Sequence, residues 1–411
     1  MLFRSGARSC AAGAFGACEG AIGPSEETCN GLDDDCDGLV DDVAPLGGAA
    51  MSDPAWSAVD EPLAVAETLD GARQAVVFHA PGVNGEMSLT ASTFDLGNRT
   101  VTATWSFFPT RSRHFPKVWF VGDTVWIAFI DRPGNNAAQL QILRYDLEGR
   151  AVAAPVAVGA DVDGFSVAVG DRAVGIVRSQ ARGEAWFSVL DLVEGPLIDR
   201  HVTDGLAVAR DPAVTVAARG EDWLVGSELR TRVEFDDAFV QWVVTADGTV
   251  GPAIQTGLIN GRRPTIVETP AGERLVYAYR YYGASPHVAI ESRAVAADGT
   301  LGEPVALVAF PDDPAAATPE PLFATSHGAA GIVVGEWLPD DARVWGLYLS
   351  RADTGGHPWT LRSQARDGDE PLSFNLATGG GGPSIVHAWV RRATGRVVVG
   401  RGALGGCPPG P

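Results

Sequence analysis

After Pro45 the chain repeats seven times a short strand-like stretch, a glycine-containing turn and a second stretch of apolar and small residues, and this period limits the fold more than any other feature. The segments are "PLAVAETLDGARQAVVFH", "PKVWFVGDTVWIAFI", "FSVAVGDRAVGIVR", "PAVTVAARGEDWLVGSE", "PTIVETPAGERLVYAYR", "PLFATSHGAAGIVVGEW" and "LSFNLATGGGGPSIVHAWV". Their turn glycines, Gly71, Gly122, Gly170, Gly220, Gly272, Gly328 and Gly382, follow one another at intervals of 51, 48, 50, 52, 56 and 54 residues. A second turn follows each of the first six, at "FDLGN", "YDLEGR", "DLVEG", "TADGT", "AADGT" and "RADTGG", where Asp and Gly supply the positive φ that short hairpin turns need. Each unit therefore holds four antiparallel strands, A to D.

Four strands recurring about every 50 residues is the signature of a β-propeller blade, and seven such units close a ring. The expected fold class is all-β, a seven-bladed β-propeller over residues 50–405, preceded by a small module over residues 1–45. Fifty glycines and 27 prolines spread along the chain agree with many tight turns. A pair of β-sandwiches is the competing architecture, but sandwich strands seldom keep such a period. The seventh unit reaches a third strand, "GRVVVGRGAL", and leaves only "GGCPPGP". Its fourth strand is expected from "DPAWSAVD", residues 53–60, so that the two chain ends close the ring and remove a free edge.

Before the repeat, "CNGLDDDCDGLVDD" sets six aspartates between and beyond Cys29 and Cys36. Asp33, Asp35, Asp37 and Asp41 occupy positions 1, 3, 5 and 9 of an EF-hand-type loop, with Gly38 at position 6 and the carbonyl of Leu39 at position 7. Alternate spacing converges carboxylates on one centre, where a divalent cation offsets their repulsion. Hard oxygen ligands without imidazole or thioether favour Ca²⁺ over a transition metal. Position 12 is Ala44 rather than a bidentate Glu, so Asp41 and Asp42 complete the shell. A solvated acidic linker is the bland reading of such a run.

Four of the five cysteines, Cys10, Cys18, Cys29 and Cys36, lie in this segment, and Cys407 lies near the C-terminus. Their clustering in a small acidic module points to disulfides in an oxidising compartment. Zinc is the rival, though the segment lacks histidine and close C-x2-C pairs. No pairing follows from the spacings. "MLFRSGARSC" lacks a basic n-region followed by an apolar h-region, and the chain reads as shortened at its N-terminus. No run of about 18 apolar residues spans a membrane.

The same residues carry a resemblance. "GARSCAAGAFGACEGAIGPSEETCNGLDDDCDGLVDD" resembles the MopE-type metal-binding motif family of bacterial surface and secreted proteins. Cys10, Cys18, Pro24, Glu27, Cys29, Asn30, Gly31, Asp33, Asp35, Cys36, Asp37, Gly38 and Asp41 match the family pattern, and Phe15 replaces its usual Trp. The resemblance covers about a tenth of the chain and implies an extracellular or cell-surface location. The family's name implies copper, whereas the ligand types here favour calcium.

The formal charge of −20 argues against nucleic-acid or anionic-membrane partners, which require clustered Lys and Arg, and lysine occurs once, as Lys117. Charged residues precede the A strands and recur near the ends of the B strands. His79, Arg113, Arg178, Glu228, Arg263, Arg280 and Glu336 are therefore expected to converge on one mouth of the channel, as a site for a glycan, a small molecule or a surface protein. Solvated loop charges, or rim pairs worth under about 1 kcal/mol each, are the plain alternative. No G-x-S-x-G elbow, H-E-x-x-H motif or P-loop occurs, and only "DTGGHPW" approaches a sialidase box. The expected function is a secreted or cell-surface binding or adhesion protein, monomeric, with enzymatic activity left open. The alternative is a secreted propeller hydrolase or lyase acting on a glycan at the charged mouth.

Overall fold

A computed structural model describes residues 7–11, 14–19, 48–50, 63–68, 70–81, 87–98, 100–110, 116–131, 138–170, 172–180, 184–192, 195–203, 214–230, 237–259, 262–269, 272–281, 287–311, 320–327, 331–337, 344–351, 359–364, 371–378, 384–391 and 396–403. These contain strands and turns and no helix, hence none long and apolar enough to cross a membrane. A hairpin, Ala7–Ala11 with Ala14–Glu19, precedes seven four-stranded antiparallel sheets.

Within each sheet the strands lie in chain order from A inside to D outside, except in the last. The A strands are Ala64–Glu67, Lys117–Val121, Val162–Val169, Val214–Arg219, Arg262–Thr269, Glu320–His327 and Pro371–Thr378. They are the strands by which neighbouring sheets meet: first with second, third onward to seventh, and seventh back to first. Between the second and third sheets, the B strand Thr124–Asp131 makes the contact with Val162–Val169. The result is a closed ring, the β-propeller that the period implies.

Alternation along each strand sends successive side chains to opposite sheet faces, so the core is divided into slabs between sheets. One slab joins Phe78, Val76 and Leu63 of the first sheet to Val397, Val399 and Ala388 of the seventh. The next joins Val77 and Leu89 to Ile127 and Phe129 of the second. Trp126 and Leu140 meet Val174 and Ile176, and Phe187 and Val177 meet Trp223 and Trp242. Leu224 and Phe239 meet Leu275 and Tyr277. Trp223 lies flat on Gly175 of the neighbouring sheet, where any Cβ would collide with its ring. Tryptophans thus wedge between blades, as their strand positions imply.

The hairpin turns at one end of the ring follow the sequence pattern, with Gly122 at φ 54° between strands A and B and Gly248 at φ 80° between C and D. The closure strand is a correction. The outer edge of Arg396–Ala403 is paired by Gly48–Ala50, with Ala49 opposite Val399, and not by residues 53–60, which lie outside the described residues. A strand of one glycine and two alanines shows no apolar alternation, whereas "WSAV" does. Backbone pairing alone makes Gly48–Ala50 an edge strand.

Candidate functional site

The two ends of the ring differ in what they expose. At the turn end, aspartates fold back on their own turns. Asp70 accepts from the hydroxyl of Thr68 and the amide of Ala72, and Asp247 accepts from the hydroxyl of Thr245 and the amide of Thr249. Those bonds favour the ionised carboxylate and hold the pKa of Asp247 at about 2. Arg219 reaches from the fourth sheet to Glu273 of the fifth at 2.6 Å and to the carbonyl of Ala297 at 2.8 Å. These groups are engaged in turns and in ties between sheets, which leaves them little freedom to meet a ligand.

At the other end, the mouth, the A strands begin. There Lys117, Asp163, Arg262, Arg263 and Glu320 occupy the first or second positions of the A strands in the second, third, fifth and sixth sheets. Lys117 follows the buried Pro116 and is itself exposed to solvent. Nevertheless, loss of hydration to surrounding protein pushes its ammonium below the usual lysine pKa. The sequence argument passed over Lys117, although being the single lysine and following a blade proline were both visible signals.

Of the B-strand residues expected at this mouth, Arg178 and His79 are buried and Glu228 is half-buried. An A strand turns its edge to the axis, while B-strand side chains leave the sheet faces and enter the slabs between blades. Arg178 is buried beside the second sheet, where Gly159 leaves room for its guanidinium. It donates to both carboxylate oxygens of Asp199 and to the hydroxyl of Ser188, and stands 5.5 Å from the ring of Trp186. His79 is buried opposite Leu89, and Glu228 is half-buried opposite Phe239. Arg280 and Glu336 occupy corresponding late positions on the B strands of the fifth and sixth sheets, while Arg263 is on an A strand at the mouth. The backbone thus gathers His79, Arg178, Glu228, Arg280 and Glu336 at one end of the ring. Arg113 lies outside the described residues.

A second buried polar group lies between the fourth and fifth sheets. The hydroxyl of Tyr277 donates to Glu291 at 2.8 Å and accepts from Nε of Arg293 at 2.7 Å. Burial first, and the negative charge of Glu291 second, push its pKa well above the usual tyrosine value.

The calcium-type loop, with Asp33, Asp35, Asp37, Leu39, Asp41 and Asp42, lies outside the described residues, as do Cys29, Cys36 and Cys407. In the N-terminal hairpin Cys10 stands opposite Phe15 and Cys18 opposite Arg8, so this register does not set the two cysteines against each other. Among the described residues no three His, Cys, Asp or Glu side chains stand together as metal ligands.

No family model and no curated protein matches the chain. Solved structures do. The hydrazine synthase of Kuenenia stuttgartiensis is 13% identical over 84% of this chain and 97% of that one, with a TM-score of 0.52. The β-propeller domain of the Trilobed protease from Pyrococcus furiosus, which has an open velcro topology, is 12% identical over 84% and 95%, with a TM-score of 0.50. A prolyl endopeptidase is 14% identical over 85% of this chain and 48% of that one, so that this chain spans about half its length, with a TM-score of 0.48. At such identities the first two likenesses establish the β-propeller fold.

Proposed function

We propose that the ring is a recognition domain of an exported or cell-surface protein, binding a small molecule or glycan at the mouth where the A strands begin. The observation that carries this reading is the set of charged residues of both signs at the starts of the A strands, Lys117, Asp163, Arg262, Arg263 and Glu320, around one opening of a closed scaffold. A rigid rim with a few convergent polar groups is the usual form of a ligand site. In this reading the N-terminal module, with its MopE-type motif, holds Ca²⁺ and supports attachment outside the cell. A glycan array combined with a metabolite thermal-shift screen tests it. A ligand should emerge whose affinity falls at least tenfold in a variant carrying Arg262→Ser and Arg263→Ser. If no ligand emerges, or the ligand ignores that variant, the reading fails.

A second reading draws on the likeness to the propeller domain of the Trilobed protease. Here the ring admits and holds substrate for a hydrolase. Turnover of peptide or glycan substrates by the full chain, abolished by rim substitutions, would favour it over adhesion.

A further inference from the structure

We propose that the seam between the second and third sheets, at the turn end of the ring, docks an extended segment of a partner polypeptide in which a carboxylate lies between apolar side chains. This surface is at the end of the ring opposite the mouth, and it stands independently of the recognition reading above.

Every other pair of neighbouring sheets meets through its A strands. Here the B strand Thr124–Asp131 makes the contact with Val162–Val169, so the inner strands bridge this seam less closely than the rest. Among the described residues the exposed large apolar side chains are Val152, at 52%, and Val169, at 43%, and one stands on each wall of the seam. Register fixes their direction. Trp119, Trp126 and Arg144 are successive cross-strand partners on the face of the second sheet turned to the third, and Val152, whose amide donates to the carbonyl of Arg144, extends that row to the outer strand. Val169 is the partner of Val174, which packs in the same slab of core.

The charge on this seam is the reverse of the chain's. Arg144 stands 5.2 Å from the ring of Trp126, and neither it nor the exposed Arg172 has a side-chain hydrogen bond or ion pair among the described residues, in a chain with 51 acids. The acids nearest to Arg144 in sequence, Asp146 and Glu148, are held by Arg150 at 2.6 and 2.8 Å. The walls offer no acceptor in their place. Trp119 and Trp126 carry only N–H donors, both buried without an acceptor, and the slab beside them is apolar. Arg172 lies two residues before Val174, and its carbonyl accepts from the amide of Leu192, which packs on the same slab.

This arrangement sets the chemistry of the occupant. Four strands about 4.8 Å apart put the outer strand about 14 Å from the inner one, the reach of about five extended residues. A segment of that length lying across the seam covers both valines. Asp123 is exposed in the turn at the inner end, so the carboxylate belongs at the outer half, against Arg144. Since a formal charge of −20 repels acids elsewhere on the surface, the two arginines direct the segment to this place while apolar contact holds it.

The probe is a displayed library of random seven-residue peptides selected on the full chain, with the selected peptides resynthesised and titrated by fluorescence anisotropy. They should carry Asp or Glu flanked by apolar residues. Their affinity should fall roughly tenfold or more for Arg144→Gln, Val152→Glu and Val169→Glu, and should survive Arg144→Lys and the paired Arg262→Ser and Arg263→Ser substitutions. Val152→Glu and Val169→Glu change exposed side chains and should unfold at the parent's temperature, which separates lost binding from lost fold. A library that yields no binder, peptides without an acidic residue, or equal binding to the parent and Val152→Glu overturns the proposal. Peptides lost only on substitution of Arg262 and Arg263 bind at the mouth, which supports the recognition reading and overturns this one. If the chain alone sediments as a dimer that Val152→Glu dissociates, the occupant is a second copy and the partner segment is ruled out.

Discussion

Asp199 accepts one terminal N–H from each side of the Arg178 guanidinium, at 2.9 Å on each carboxylate oxygen, and so closes a link across three strands of the third sheet. Arg178 has only 2% of its side chain exposed, against 50% for Asp199. Removing the acid strands a cation in a slab between blades. Asp199→Ala should therefore cost about 2–4 kcal/mol, below the full penalty of a wholly buried pair because half of Asp199 faces water. Arg178→Met, which removes the charge and keeps the volume, should cost clearly less. Equal losses in urea unfolding would contradict this ordering.

Arg178 also shows where sequence reasoning loses its grip. The period and the turn glycines identified strands such as Lys117–Val121 and Thr124–Asp131 within a residue or two, because a hairpin needs its turn at a fixed place. Alternation then tells that Arg178 lies on one face of its sheet, but not what packs against that face. That depends on Gly159 in the preceding blade, which no local pattern couples to it. Strand position likewise sets His79 near the end of its B strand without telling that it is buried there. The closure strand escaped notice because Gly48–Ala50 has no large apolar residue to reveal it.

The closure makes a prediction about chain ends. A chain starting at Pro45 keeps Gly48–Ala50 on the edge of Arg396–Ala403, while one starting at Asp53 exposes that edge. Losing a few net hydrogen bonds of about 1 kcal/mol each, the shorter chain should be roughly 2 kcal/mol less stable and more prone to aggregate. Equal unfolding midpoints would show that the short strand contributes nothing to closure.

The pair Tyr277 and Glu291 has a spectroscopic signature. Glu291 is 3% exposed, so Tyr277→Phe deprives it of a donor and should cost about 1–3 kcal/mol. In an alkaline absorbance titration of the six tyrosines, Tyr277 should resist ionisation until the protein unfolds, and Tyr145, also raised by burial, should lag behind an exposed tyrosine. Its folded pKa lies above the unfolded value near 10, so its stabilising contribution is complete below pH 10 and lost as pH rises beyond it. If all six titrate together near pH 10, the buried hydroxyl is not where the geometry puts it.

For the acidic loop, calorimetry should find one Ca²⁺ site that Asp35→Ala or Asp37→Ala removes, since each deletes a charged oxygen ligand. Chelator should leave the unfolding of the propeller unchanged, because its slabs of core lie between sheets that begin after Gly48. Tight copper binding without calcium binding would overturn the hard-ligand argument.

Lys117 should leave its mark on stability as a difference between two proteins. Its folded pKa is held below the ordinary 10.5 by desolvation, so between those values the unfolded chain binds more protons than the folded one. Stability due to this residue therefore rises with pH through that window, and below it the partly desolvated charge is a constant cost. Tyr277 pulls in the opposite direction above pH 10, and other groups add their own slopes, so the absolute curve of either protein is ambiguous. Subtracting the parent curve from that of Lys117→Met cancels every term except the lysine. The difference should favour the variant at neutral pH and shrink as pH approaches 10.5. A difference that is flat in pH would mean the ammonium is as well hydrated in the folded protein as in the unfolded chain.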